Sequence, residues 1–241
     1  MAKTSGLGDD LLVAGFHIGG DIQSLTVNGG NTPLEVTDIT QSAHSRLGGQ
    51  RDGTVAVVAY HDPAPAQSHA VYAPLPTADQ IITYLRGTAI GNPSACLNSK
   101  QINYDPTRGA DGSLTFAVQA QGNSFGLEWG VQLTAGLRTD TTATTGPFFD
   151  QGAAGPGFGA QAYLQLVSIT GTSVDVTISH ATTSGGAYTT LVDFGAQAAA
   201  GAFRGTAAGA VNEFLKVNTA GTFTSAIFQV TFVLNPVAVV F

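Results

Sequence analysis

Apolar and polar residues alternate with a period of two along much of this chain, as expected for strands that bury one face. The clearest case is 113–119, where Leu114, Phe116 and Val118 alternate with Thr115, Ala117 and Gln119. Residues 54–60 are apolar on both faces in places, which predicts a central strand. It ends at His61-Asp62-Pro63-Ala64-Pro65, because proline has no N–H to give to a ladder. Before it, 11–18 and 21–27 read as strands, and Asn28-Gly29-Gly30-Asn31 supplies turn chemistry. Leu34 and Val36 form a short strand, and 125–133, with the single tryptophan Trp129, is the last strand of the first half.

Two segments depart from this period. Pro76-Thr77-Ala78-Asp79-Gln80 carries a capping signature, with Ile81, Ile82, Tyr84 and Leu85 on one helical face and Gly87 as a stop. The expectation is one short helix over 77–87, lying against the sheet. The other departure is a polar, glycine-punctuated segment at 40–53, read as a loop. It is far longer than a hairpin needs, and loops of that length usually carry function. It holds Gln41, His44, Arg46, Arg51 and Asp52 in a chain with only 10% charged residues. It reads as an arm meant for another protein surface.

Around 139–159 Thr, Gly and Pro crowd together without sustained periodicity, which marks a connection. The expected organisation is therefore a first domain over 1–145, a linker over 146–159, and a second domain over 160–241. Strands in the second domain are expected at 162–169, 173–180, 188–194, 214–217, 226–234 and 237–241, with turns at Gly171, Gly185, Gly195, Gly209 and Gly221. Short strands at that spacing predict a smaller sandwich of jelly-roll or immunoglobulin-like type. The fold class is mainly all-β.

Composition narrows the function. Low charge combined with 31 glycines and many small residues suits a subunit whose flanks are covered by neighbours. The net charge is -7, concentrated in the first 150 residues, and no Lys/Arg cluster exists, so tight binding to nucleic-acid phosphates is disfavoured. The lone Cys96 has no disulfide or metal-ligand partner in sequence. The N-terminal residues lack the apolar core of a signal peptide, and no run is long enough for a membrane helix. Synthesis in the cytoplasm is expected.

Catalytic patterns are missing. His61, Asp62 and His69 match no metal-ligand spacing, no serine sits in a Gly-x-Ser-x-Gly elbow, and Asp9-Asp10 and Asp38 are not paired for glycoside chemistry. Gly155-Pro156-Gly157-Phe158-Gly159 has no lysine and no following helix to hold a phosphate. Tyr163, Tyr188, Phe194 and Phe203 could stack on a sugar, but aromatic residues of a sandwich are more often core. The expectation is no enzyme, no cofactor and no metal.

Residues 34–129 resemble the tail-tube (major tail) proteins of long flexible-tailed bacteriophages, particularly those of actinobacteria. The matching pieces, in order, are Val36-Thr37-Asp38-Ile39, the segment from Ser42 to Thr54, Tyr60-His61-Asp62-Pro63, residues 100–109, and Asp111 to Gln119. Residues 160–241 look more loosely like the sandwich modules appended to phage structural proteins. The resemblance implies a tail-tube-type β-sandwich or barrel with one flanking helix. Its subunits would join edge to edge in rings, usually hexameric, stacked as a tube that delivers genomic DNA. It implies location in the virion tail, with tape-measure and terminator proteins as further partners. Segment 40–53 would reach the adjacent ring, and Glu35, Asp38 and Asp52 are candidates for an acidic lumen that DNA slides past. Weak contact of the second domain with host-surface glycans fits the same picture. The alternatives are a carbohydrate-binding or adhesion module and a capsid decoration protein, with a hydrolase further off.

Overall fold

The computed structural model describes residues 5–238; the final residues of the strand expected over 237–241 lie outside that range, and Val237 is not in a strand. The chain is almost entirely β. It opens with β1 (Asp10–Val13) and β2 (Phe16–His17), followed by the long β3 (Ile22–Glu35) and β4 (Arg46–Tyr60). A five-residue helix α1 (Ser68–Tyr72) precedes β5 (Gln80–Leu85), β6 (Pro93–Gln101), β7 (Asp105–Arg108), β8 (Leu114–Gly122) and β9 (Glu128–Gln132). Then come β10 (Arg138–Asp140), β11 (Thr145–Asp150), β12 (Ala160–Ala181), β13 (Thr189–Gln197), β14 (Gly201–Ala207) and β15 (Phe214–Leu234).

Hydrogen bonding links the strands into one antiparallel network, with the path β13-β12-β15-β9-β6-β5-β1-β2, β8 branching from β6, and β4 pairing in turn with β8. Two apolar cores form along it. One gathers Leu11, Val13, Val55, Val57, Ile82, Leu97, Phe116 and Val118, with α1 closing it through Val71 and Tyr72. The other gathers Leu164, Leu166, Val174, Val176, Ile178, Leu215, Val217, Phe228, Val230 and Phe232. A small cluster of Ile81, Cys96, Tyr163 and Val233 lies between them. Polar groups stitch this junction. The fully buried Gln165 donates to the Ile81 carbonyl at 2.9 Å and accepts from the Gly15 N–H at 2.8 Å.

The structure corrects several expectations. Residues 80–85 are strand, not helix: Gln80–Leu85 pairs with β1 on one side and β6 on the other. Its consecutive apolar residues are buried toward two different cores, Ile82 in one and Ile81 in the junction. A run buried on both faces carries no usable period, and the β-branched Ile81-Ile82-Thr83 favours the pleated conformation. The helix is instead α1, eight residues before the expected segment ends its capping signature at Gln80.

The long polar segment is also not all loop. Arg46–Gly53 is paired strand, and Asn28–Asn31 lies inside β3 rather than in a turn, with Gly29 opposite Gly53 and Asn31 opposite Arg51. These glycines serve close approach. A Cβ on either Gly29 or Gly53 would sit 2.8 Å from the Leu127 Cβ. The segment expected as a linker begins with β11, which pairs with β15. Finally, the turns expected at Gly171 and Gly221 are crossed by continuous strands: β12 and β15 pair along their whole length, and irregularities in register around 166–173 bend the ribbon. β14 was not expected at all; its alanine- and glycine-rich sequence has a weak strand signature.

Candidate functional site

The feature that stands apart from both cores is the far end of the β3–β4 hairpin. β4 pairs with β8 only from Thr54 to Tyr60, so beyond Thr54 its single paired neighbour among the described residues is β3. The base of this ribbon rests on the 122–127 segment, where a Cβ added at Gly126 would meet the Arg51 Cβ at 2.8 Å. From there to the turn it runs about 15–20 Å at the usual strand rise. A two-stranded ribbon of this kind is marginally stable alone in water.

Its two faces differ. Leu34 and Leu47 are directly opposite across the strands and share one face, which Val36 continues. Leu34 is 52% exposed, Val36 44% and Leu47 58%, and Ile39 in the turn is fully exposed. Glu35 and Arg46 are opposite each other on the other face. Arg46 Nε lies 3.4 Å and His44 Nδ1 3.1 Å from the Glu35 carboxylate, so three groups form one exposed cluster. The turn is organised by Asp38, whose carboxylate accepts from the Thr40 hydroxyl and, at 2.8 Å, from the Thr40 N–H. These bonds hold the Asp38 carboxyl below its ordinary range, the hydroxyl contributing most. Gln41 donates its backbone N–H to the Asp38 carbonyl at 3.2 Å.

The expected arm residues thus fall into two groups. Gln41, His44 and Arg46 are at the tip with Glu35 and Asp38, whereas Arg51 and Asp52 are at the base. The three candidate lumen residues are spread the same way, so Glu35, Asp38 and Asp52 could face one bore only if the ribbon ran along it. Sequence reasoning missed the apolar face, although the alternation of Leu34 and Val36 was its signal.

A buried polar knot lies behind the base. Glu128 is 2% exposed, accepts from the Tyr163 hydroxyl, and has Arg204 at 3.6 Å and Arg51 at 4.0 Å. Arg204 also donates to the Tyr163 hydroxyl at 3.1 Å and stacks on the Phe125 ring at 3.8 Å. Burial, then the adjacent Glu128 charge, push the Tyr163 hydroxyl well above its ordinary pKa. The knot ties the start of β9 to β12 and β14.

Other candidate chemistry is sparse. The His61 and His69 rings lie 4.3 Å apart, and His69 Nδ1 is 2.6 Å from the Tyr104 hydroxyl. Among the described residues no three His, Cys, Asp or Glu side chains are grouped to hold a metal. Of the aromatic residues considered for sugar stacking, Tyr163 is buried and Phe194 and Phe203 pack on the second core. Tyr188 remains at the surface under the Lys216 ammonium, 4.0 Å from its ring centre.

The fold and site define an all-β chain with two joined cores and a projecting amphipathic hairpin. No protein-family model matches the sequence, and no curated protein does. Remote likenesses exist among solved structures. A chain in the virion of a native gene transfer agent is 11% identical, with a TM-score of 0.42 over 53% of this chain and 98% of that one. The Dit protein of phage SPP1, described as a hub of the adsorption apparatus in phages infecting Gram-positive bacteria, is 11% identical. Its TM-score is 0.34 over 94% of this chain and 99% of that one. A chain of the phage p2 baseplate is 8% identical, with a TM-score of 0.35 over 95% and 99%. Likeness at this level is too remote to assign a function.

Proposed function

We propose that this chain is a structural subunit of a phage tail, assembling edge to edge into rings that stack as the tube through which DNA is delivered. The observation that carries the reading is the hairpin itself: a ribbon whose tip exposes Leu34, Val36, Ile39 and Leu47 far from either core. Exposed apolar groups clustered on a marginally stable element call for a covering surface. The sequence resemblance over 34–129 supplies the kind of surface, another copy in the neighbouring ring. Free edges add to it. β3 pairs only with β4 and β7 only with β8 among the described residues. An unpaired 14-residue strand edge invites pairing with a second chain. Hexameric symmetry, tape-measure and terminator partners, and location in the virion tail follow from the same resemblance.

Negative-stain microscopy of the purified protein across a concentration series tests the reading. Rings or tubes are expected. Monodisperse single molecules at every concentration, binding a glycan array instead, would favour an adhesion module. Decoration of empty capsids without tubes would favour a capsid protein.

A further inference from the structure

The β3–β4 hairpin changes character over one step of its ladder. Up to Asn31 and Arg51 it is clamped to the body: Gly29 and Gly53 abut Leu127, and Gly126 abuts the Arg51 side chain, whose Nη2 donates to the Leu127 carbonyl at 3.5 Å. Asn31 faces Arg51, but the next pair is Pro33 with Gly48, so Gly49 and Gln50 together stand opposite Thr32. Two residues against one make a β-bulge, which bends a strand and raises its twist. The bulge also sets the register of the tip. Were the pairing carried on without it, Leu47 would face Glu35 and Arg46 would face Val36; the extra residue brings Leu47 to Leu34 and Arg46 to Glu35. Beyond the bulge the tip is braced only by itself. Val36 donates its N–H to the Ser45 carbonyl at 2.9 Å, Ser45 donates its own to the Thr37 hydroxyl at 2.8 Å, and Glu35 holds His44 and Arg46. Among the described residues, every side-chain hydrogen bond and ion pair of 33–48 stays within 33–48, and no residue of that stretch joins a core cluster.

We infer that this bulge is the joint of the arm, about which the braced tip turns as one body over a fixed base. The two strands contribute unequally. On β3, Pro33 fixes its own φ and restrains Thr32 before it to extended backbone. On β4, Gly48 and Gly49 carry no side chain that limits rotation. Gly49 lies where the strands press together: a Cβ there would be 2.4 Å from the Thr32 carbonyl oxygen, so the crossing needs glycine. Gly48 is open, and a Cβ there would meet only the Asn31 amide nitrogen at 3.4 Å. The tip also has room to turn. A groove of about 710 Å³ separates the bulge from the 121–126 segment, with Thr32, Gly49 and Gln50 on one wall and Gln121 and Ser124 on the other. A stretch with solvent-exposed backbone hydrogen bonds and no share in a core opens and moves before the body does. The clamp at Leu127 confines that motion to the step between Asn31 and Pro33. The joint is a property of the single chain. Its use rests on the proposed assembly, in which an arm that turns at its root stays engaged while neighbouring copies tilt.

Pulsed electron paramagnetic resonance on dilute, unassembled protein tests this. The native Cys96 is fully buried, so nitroxide labels go to introduced cysteines. The full-length Gln41→Cys/Gln119→Cys variant reports the tip against the body, and Arg86→Cys/Gln119→Cys, with both labels on the body, is the rigid reference. The tip–body distances should be broadly distributed and the reference distances narrow. Deleting Gln50 removes the extra residue while keeping Leu34 opposite Leu47, and Gly48→Val stiffens the same strand with a β-branched side chain. Each change should narrow the tip–body distribution toward the width of the reference, with circular dichroism and urea unfolding unchanged. If the deletion fails to fold, Gly48→Val alone decides. A parent distribution as narrow as the reference, or a breadth that neither change reduces, would overturn the joint. Tubes from a protein with a narrow distribution would remove the joint and leave the assembly reading intact. A broad distribution that narrows as expected, in a protein that never assembles, would remove that reading and leave the joint.

Discussion

Replacing Leu34, Val36 and Leu47 together by serine removes the apolar face of the hairpin tip and nothing else. Each of these side chains has about half its surface still open in the single chain, at 52%, 44% and 58%. Complete burial of such a side chain contributes about 1.5–3 kcal/mol, so covering the exposed halves contributes about 2–4 kcal/mol per docked arm. By the tenfold-per-1.4 kcal/mol rule, the triple variant needs a protein concentration roughly 30- to 1000-fold higher to polymerise. None of the three side chains belongs to a core cluster, so the single subunit should unfold within about 1 kcal/mol of the parent. Light scattering against concentration reads the first quantity, and urea unfolding under dilute conditions reads the second. Assembly at the parental concentration would show that the tip is not an interface. A large loss of subunit stability would show that these side chains serve the fold rather than a contact.

Three further outcomes follow from the interior. Glu128→Gln keeps the shape but removes the charge facing Arg204, and should cost about 3–5 kcal/mol in urea unfolding; a shift below about 1 kcal/mol would mean the knot is not a stabilising unit. Burial pushes the Cys96 thiol up to about 12, so Ellman's reagent should leave the native protein unlabelled at pH 8 and label one thiol per chain after denaturation. Rapid native labelling would contradict the burial. His180 accepts the Asn212 N–H at 3.0 Å, and burial lowers its pKa below 6.5. The unfolded chain therefore takes up this proton first, and the stability due to neutral His180 is full above about pH 6.5 and is lost as pH falls. Relative to His180→Gln, the parent should lose stability between about pH 7 and pH 5. His17, whose pKa is raised by its bond to Asp10, acts in the opposite sense, giving stability below 6.5 that is lost as pH rises, and cancels in that comparison.

Strand formation was legible wherever one face was buried and the other wet. Leu114, Phe116 and Val118 alternate in sequence, and Phe116 and Val118 enter the core. The candidate arm was half legible: its polar composition pointed to 40–53, and Gln41, His44 and Arg46 are at the tip. That Arg51 and Asp52 belong to the base depends on pairing with Gly30 and Asn31, a contact about twenty residues away in sequence.

By itself, then, the sequence determined that this is a β protein of low charge with a conspicuous polar segment, because period-two patterning and composition are local properties. Tertiary structure decided the rest. Residues 80–85 became strand because they lie between two cores, and a segment buried on both sides has no amphipathic period to read. Gly29 and Gly53 looked like turn or loop residues, yet their role, like that of Gly130 inside the expected strand 125–133, is to let distant parts of the chain approach, which only the packed neighbour reveals. Glu128 was one acidic residue among 16 until folding placed it beside Tyr163, Arg204 and Arg51. Which groups lose water is a property of the whole assembled sheet, and that loss sets their energies.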